Sequence, residues 1–516
     1  MEKVMTVYQM FERNYSMLGD KSRDKKALMF VPDGLDLCNP TENCRGRGTA
    51  PKTYFGMFNE IGYYSKVLGQ AGVQEEDRVL LCLPNVPDMV SLYLAVSKLG
   101  ATAVLVNPLW PVERQNKIIE ETKPKVIVSE NTLPELKINA ISSIEGGHIA
   151  QAEPDKTAVI LFSSGTTGEQ KGVELTQNNL FQNIRHTNAF TGMTQDDRVL
   201  CVVPLTHCFG LNFVLGACFY TGATLVLHEK FNPKQLLDSL IYNKVSMFFA
   251  PPTIYNIYLE EPAESYYFSS VRYFFYAADT LSLVNLKTWE KHYGRTIYTG
   301  WGLTETTPFA TSNHPGSGYK RCNPRSPVPS VGKPIPGVEV KIIDKNGRPL
   351  QMTDQEQDRD GLRNKYCGEA CVRGHNIMKG YLNRPDDPAI DSDGWLHTGD
   401  VGYLDFEGHL FIVDRIKDII IVGGYKALPS HIENAIRQHP DVADACVVGI
   451  PHKIMNEVPK AFVVLNAGRK VAPEEIMDFA NPKLPKYEQV RSVEFIDKLP
   501  RNPSGKILRR ELREKK

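Results

Sequence analysis

Short apolar runs alternate with segments carrying apolar residues at helical spacing, and this rhythm constrains the fold of the 516-residue chain more than any other feature. Val79-Leu80-Leu81-Cys82-Leu83 is closed by Pro84-Asn85, which predicts a buried strand and a turn. Residues 88–99 place Met89, Leu92, Tyr93, Val96 and Leu99 on one helical face, and Gly100 stops the helix. Residues 103–106 form the next strand, and Pro124-Lys125 leads into another at 126–128. The pattern returns at 158–162, 199–203, 224–227 and 247–250. Strands joined through helices call for largely parallel sheets with both faces covered. From about 334 to 413 the texture changes to short β pieces and turns, such as 338–343 before Asp344-Lys345-Asn346-Gly347. The last hundred or so residues differ again, with strands at 419–422, 445–448 and 461–464 and a helix at 430–438.

Charge and cysteine usage exclude several classes. Lys+Arg and Asp+Glu both number 60, so the chain carries no net charge to attract nucleic acid or an anionic membrane. The 10 cysteines lack the paired spacings of a zinc site, and several sit inside apolar runs, which suits a reducing compartment. The segment Met1-Glu2-Lys3-Val4 is charged, and no stretch approaches the ~20 apolar residues of a membrane helix. The expectation is a cytoplasmic enzyme without a transmembrane segment.

Residues 161–172, Leu-Phe-Ser-Ser-Gly-Thr-Thr-Gly-Glu-Gln-Lys-Gly, follow a strand and concentrate hydroxyls, glycines and one lysine. Such a loop can bring backbone N–H groups, hydroxyls and a charge against a polyphosphate. It lacks the Walker spacing, and alone it reads equally well as a polar surface turn. Downstream come Tyr298-Thr299-Gly300-Trp301-Gly302-Leu303-Thr304-Glu305-Thr306-Thr307, then His397-Thr398-Gly399-Asp400, Asp414-Arg415-Ile416-Lys417-Asp418, and Pro500-Arg501-Asn502-Pro503-Ser504-Gly505-Lys506.

This ordered set closely resembles the adenylate-forming superfamily of acyl- and aryl-CoA synthetases, beetle luciferases and peptide-synthetase adenylation domains. The resemblance runs from Thr53-Tyr54 to Lys506, nearly the whole chain. It implies an α/β fold: a large N-terminal domain (1–413) of two doubly wound, mainly parallel sheets plus the β-rich subdomain. A hinge (414–417) and a small mobile α+β C-terminal domain (418–516) complete it. It also implies ATP, Mg²⁺ and CoA, or a phosphopantetheine carrier. Ser163, Ser164, Gly165, Thr166, Thr167, Gly168 and Lys171 would shield the β- and γ-phosphates. Thr304 would contact a phosphate, Glu305 would hold the metal, and Asp400 with Arg415 would take the ribose hydroxyls. Lys506 would reach the α-phosphate and the substrate carboxylate, and Lys417 would be the hinge. Ala278, Asp279, Trp301, Gly302 and Lys426 complete the cofactor-binding positions.

Three departures stand out. Trp301 replaces a frequent tyrosine, and Gln170 replaces a proline, which should loosen the loop slightly. Ala277-Ala278-Asp279 stands where a Gly-Gly or Gly-Ala pair is usual, so methyls there narrow the pocket or pack as core.

Pro204-Leu205-Thr206-His207-Cys208-Phe209-Gly210 resembles the gate at the carboxylate pocket, with His207 as a catalytic position. Cys208 takes the place of the aspartate by which amino-acid-activating relatives hold an ammonium, and a buried cation there would go unpaired. An apolar acid is expected, first a short- to medium-chain fatty acid, then an aryl acid, with a β-amino acid further behind. Transfer to an acyl carrier protein instead of CoA is the alternative acceptor. Luciferase-type oxidation is disfavoured because its lysine maps near Ile421. A non-catalytic nucleotide-binding protein would have lost Lys506, Glu305 or Asp400, and all three are present.

Overall fold

The computed structural model describes residues 3–35, 50–138, 150–162, 170–314, 328–351, 366–501 and 507–515. Ser163, Ser164, Gly165, Thr166, Thr167, Gly168 and Lys506 lie outside the described residues. The expected α/β architecture is present, built on two large sheets. In the nine-stranded sheet, Ile297–Trp301, Tyr273–Tyr276, Met247–Ala250, Arg198–Cys201, Thr224–His228 and Lys26–Val31 run parallel, flanked by short antiparallel strands. In the six-stranded sheet, Thr157–Phe162, Thr102–Leu105, Arg78–Cys82 and Val126–Ser129 are parallel, while Gly172–Thr176 and Gly380–Tyr381 run antiparallel.

The two-residue period of a strand explains the layering. Leu28, Phe30, Val199, Cys201, Val79 and Leu81 point into one shared core between the sheets. Their neighbours Met29, Val31 and Leu200 face a second core on the outer side of the nine-stranded sheet, and Leu80 and Cys82 face a third behind the other sheet. The helix expected at 88–99 is Pro87–Lys98. Proline at its first turn, where an N–H would lack a partner anyway, fixes its start, and it is buried on every side because it lies between the sheets.

The β-rich section forms a five-stranded antiparallel sheet, Pro349–Leu350, Val338–Ile343, Gly368–Gly374, Leu396–Leu404 and Leu410–Arg415. It is not self-contained, because Gly380–Tyr381 leaves it to pair with Gly172–Thr176. The last part of the chain packs Ile420–Val422, Tyr425–Ala427, Val442–His452, Asn456–Leu465 and Ser492–Phe495 with helices Pro429–Ile436 and Pro473–Ala480 around a separate small core. Among the described residues, no helix is long and apolar enough to cross a membrane.

Gly332 joins two sheets: it bridges to Leu410, has φ +90°, and a Cβ there would stand 1.9 Å from the Ser312 carbonyl oxygen. Gly294 also has positive φ, +62°, but open space around it. Gly332→Ala should therefore cost several kcal/mol, since backbone overlap adds to a left-handed penalty of about 1–2 kcal/mol, and Gly294→Ala only the latter. Denaturant unfolding of both variants checks this, and equal losses would contradict it.

Candidate active site

The functional segments emerge together at the carboxyl ends of parallel strands, where open α/β sheets form their crevices. Thr157–Phe162 leads into the Ser/Thr/Gly segment, Arg198–Cys201 toward His207, Tyr273–Tyr276 into Ala277-Ala278-Asp279, and Ile297–Trp301 into Gly302 to Glu305. A cavity of about 1640 Å³ opens there, lined on one side by Lys171, His207, Ala277 to Asp279 and Gly302 to Glu305 and on the other by Arg437, Asp444, Arg501 and Arg509 of the C-terminal part.

Asp400 is 4% exposed and held from two directions. The Trp301 indole Nε1–H donates to its Oδ2 at 2.9 Å, and Arg415 Nε lies 2.8 Å from Oδ1. Beside it, Glu369 accepts the Gly399 N–H through Oε1 (3.0 Å) and faces His397 Nδ1 through Oε2 (3.1 Å), which fixes the turn that carries Asp400. Cys371, 3.7 Å from His397 Nδ1, completes this packed group, and burial pushes its thiol up to about 12. Arg415 is held above the usual guanidinium range by Asp400 first, with Glu305, Asp418 and Asp279 adding to it. The site is thus rich in carboxylates, and a polyphosphate entering it needs cations.

Glu305 is the middle residue of the short turn Thr304–Thr306 and lines the cavity with Thr304. The Tyr381 hydroxyl donates to Glu305 Oε1 at 2.8 Å, and the Met378 N–H to the Glu305 carbonyl at 2.9 Å. Lys171 is 2.6 Å from Asp387 Oδ2 and 4.4 Å from the Tyr381 ring centroid. Gly302 allows a close approach: a Cβ would lie 1.7 Å from the Pro308 carbonyl oxygen. Ala278 has φ +77° and is exposed at the cavity wall, whereas Ala277 packs as core, so the two methyls have different fates. Gln170 does not leave its end of the loop slack. Its Oε1 accepts from Arg114 Nε at 2.5 Å, and Arg114 stacks 3.6 Å from the Trp110 ring centroid.

His207 and Phe209 line the cavity, but Cys208 between them is 1% exposed and packs into the core. Its thiol pKa is raised, chiefly by burial. Cys208 therefore does not present itself to a substrate. Lys417 lies in the short turn Ile416–Asp418 on the cavity rim, where its carbonyl accepts from Arg513. Lys426 is not brought to the cavity; it lies exposed on the Tyr425–Ala427 hairpin. Tyr381 and Asp387 went unread in the sequence, and Arg501 was read only as part of the closing motif, without a role of its own. Arg501, 3.9 Å from Asp279 and 2.7 Å from Asp444, bridges to Ile507 and so brackets the segment containing Lys506.

The strand-end crevice, the buried Asp400 and the Tyr381–Glu305 pair accord with the resemblance that the motifs carry. The model described as AMP-binding enzyme matches residues 37–382, and that described as AMP-binding enzyme C-terminal domain matches 431–506; the chain belongs to this family. It is 31% identical to 4-coumarate–CoA ligase 1 of Solanum tuberosum, over 95% of this chain and 96% of that protein. ATP-bound MatB from Rhodopseudomonas palustris superposes with a TM-score of 0.85 at 25% identity, covering 99% of both chains. O-succinylbenzoate coenzyme A synthetase (MenE) from Bacillus subtilis, in complex with ATP and magnesium ion, gives 0.81 at 27% identity over 98% of this chain and 99% of that one. The chain is an adenylate-forming acid–CoA ligase of the AMP-forming kind, and ATP, CoA and Mg²⁺ are the usual requirements of that class.

Asp414, next to Arg415, accepts the Ser430 N–H at 3.0 Å, and burial pushes its carboxyl up to about 6 from 3.8. A carboxyl that binds its proton more tightly folded than unfolded contributes full stability below about pH 4, and loses it as the pH climbs to about 6. Asp414→Asn should therefore lose less stability than the parent between those pH values. Chemical denaturation at pH 4, 5 and 6 measures the difference, and parallel curves would refute it.

Proposed function

We propose that the chain activates an apolar carboxylic acid, with a planar aryl acid as the leading class, and passes it to CoA. Phe209 carries this reading. It lines the cavity beside His207 together with Phe309, whose ring centroid lies 6.1 Å away, so two aromatic rings border the space for a flat ring. The names of the relatives, 4-coumarate and o-succinylbenzoate ligases, agree with an aryl acid. A short- to medium-chain fatty acid is the second reading, supported by Leu303 and Phe309 in the same lining. A carrier-bound phosphopantetheine is the alternative acceptor, since it ends in the same thiol arm.

In the first step a carboxylate oxygen attacks the α-phosphorus of ATP, the bond to the bridging oxygen breaks, and pyrophosphate leaves. Both reactants are anions, so charge neutralisation and in-line placement dominate. Asp400 accepts the ribose hydroxyls with Arg415 holding it in place, while Trp301, Gly302, Ala278 and Asp279 border the base. Thr304 and Lys171 meet phosphate oxygens, His207 borders the carboxylate, and Lys506 bridges it to the α-phosphate. Glu305 suits a hard divalent cation, and Mg²⁺ held there supplies positive charge to the phosphates. In the second step the thiol sulfur attacks the acyl carbon, AMP departs, and the thiol proton passes to solvent. Rotation about residues 414–417, with Lys417 as pivot, carries the 418–516 unit between the steps and brings Lys426 toward the thiol substrate.

Exchange of labelled pyrophosphate into ATP over 4-coumarate, benzoate, octanoate and 2-aminooctanoate tests the substrate class. The aryl acids should lead, and 2-aminooctanoate should trail octanoate at least ~100-fold because the segment around His207, residues 204–211, carries no carboxylate to pair a buried ammonium. An octanoate rate tenfold above both aryl acids would transfer the assignment to fatty acids, and no exchange with any acid would sink the ligase reading.

Lys506→Ala should remove most acid-dependent pyrophosphate release while leaving transfer from supplied acyl-adenylate to CoA. Equal loss of both half-reactions in a folded variant would refute the two-step assignment of this lysine.

A further inference from the structure

Residues 378–382 form a bracket between two parts of the site. At one end the Met378 N–H donates to the Glu305 carbonyl. At the other, the Lys379 N–H bonds the Glu174 carbonyl and the Leu382 N–H the Gly172 carbonyl, at 2.9 and 2.7 Å, clamping the segment to the strand that follows Lys171. Tyr381 lies opposite Val173 in that pairing, so its ring extends alongside Lys171 and its hydroxyl reaches Glu305.

We propose that Tyr381 is a positioning residue for adenylate formation: its hydroxyl fixes the Glu305 carboxylate while its ring face holds the Lys171 ammonium, so one side chain sets the spacing between the metal-binding acid and the phosphate-loop lysine. The inference rests on the roles given above to Glu305 and Lys171. Three observations support it. The hydroxyl–carboxylate contact is 2.8 Å, a charge-assisted hydrogen bond that leaves the second Glu305 oxygen available to a cation. The Lys171 nitrogen stands 4.4 Å from the ring centroid, within cation–π range. Asp387, 2.6 Å from Lys171, balances the lysine charge from the far side and keeps the ammonium over the ring.

The two contacts of Tyr381 are separable. Tyr381→Phe keeps the ring and deletes the hydroxyl; Tyr381→Leu deletes both. Mn²⁺ binding to the enzyme–ATP complex, followed by the free-ion signal in electron paramagnetic resonance, reads the first contact. ATP binding in excess chelator, followed by calorimetry, reads the second. Tyr381→Phe should weaken Mn²⁺ binding about tenfold, the worth of a hydrogen bond to a charged group, with metal-free ATP affinity unchanged within twofold. Tyr381→Leu should weaken both. In pyrophosphate exchange, the Mg²⁺ concentration for half-activity should rise in Tyr381→Phe while the KM for the acid holds. In a Glu305→Asp background, whose shorter carboxylate withdraws from the hydroxyl, the Phe change should add less than twofold. Mn²⁺ affinity preserved in Tyr381→Phe, or equal loss of metal and metal-free ATP binding, would overturn the proposal. Wild-type enzyme that binds ATP but no Mn²⁺ beside it would overturn the role of Glu305 itself.

Discussion

A single buried carboxylate organises the molecule. Asp400 sits on the antiparallel sheet, yet it accepts the indole N–H of Trp301 from the nine-stranded parallel sheet and pairs with Arg415 at the exit toward the C-terminal unit. Removing Arg415 would strand a charge inside, which costs several kcal/mol, and removing Trp301 would delete the hydrogen bond that ties the antiparallel sheet to the parallel one. The same carboxylate lines the cavity, so the contact that joins the sheets also faces the crevice.

Local pattern carried the sheets well. The apolar runs at 79–83, 103–106 and 247–250 became strands within a residue or so, because a strand buried on both faces needs apolar side chains at every position. Ala277 to Asp279 and Gly302 to Glu305 were also legible as candidate site segments, since each is a short contiguous string at a strand end. The β-rich section was less so. Its turns and strands read correctly, but nothing within 334–413 announces that Gly380-Tyr381 belongs to a strand pair more than two hundred residues upstream.

What the sequence hid is of that long-range kind. Tyr381 meets Glu305 and Arg501 meets Asp279 across intervals set by sheet topology, not by local spacing. Cys208 shows the opposite failure. Its alignment between His207 and Phe209 pointed to the substrate, but neighbouring residues at the start of the helical segment Phe209–Gly216 point in different directions, and the small apolar thiol is turned inward. Gln170 loses a proline's rigidity locally and regains a tether from Arg114, another partner no spacing rule supplies.

Helix Pro429–Ile436 opens with Leu428, which offers no side-chain oxygen to the exposed amides of its first turn. The missing acceptor is Asp414, borrowed from the end of the preceding sheet. The covalent boundary between the two textures of the chain is therefore not the boundary of cooperative structure. A fragment starting at residue 418 keeps its own apolar core but begins its first helix uncapped, so in isolation that turn frays first and exchanges its amide hydrogens early, beginning with Ser430.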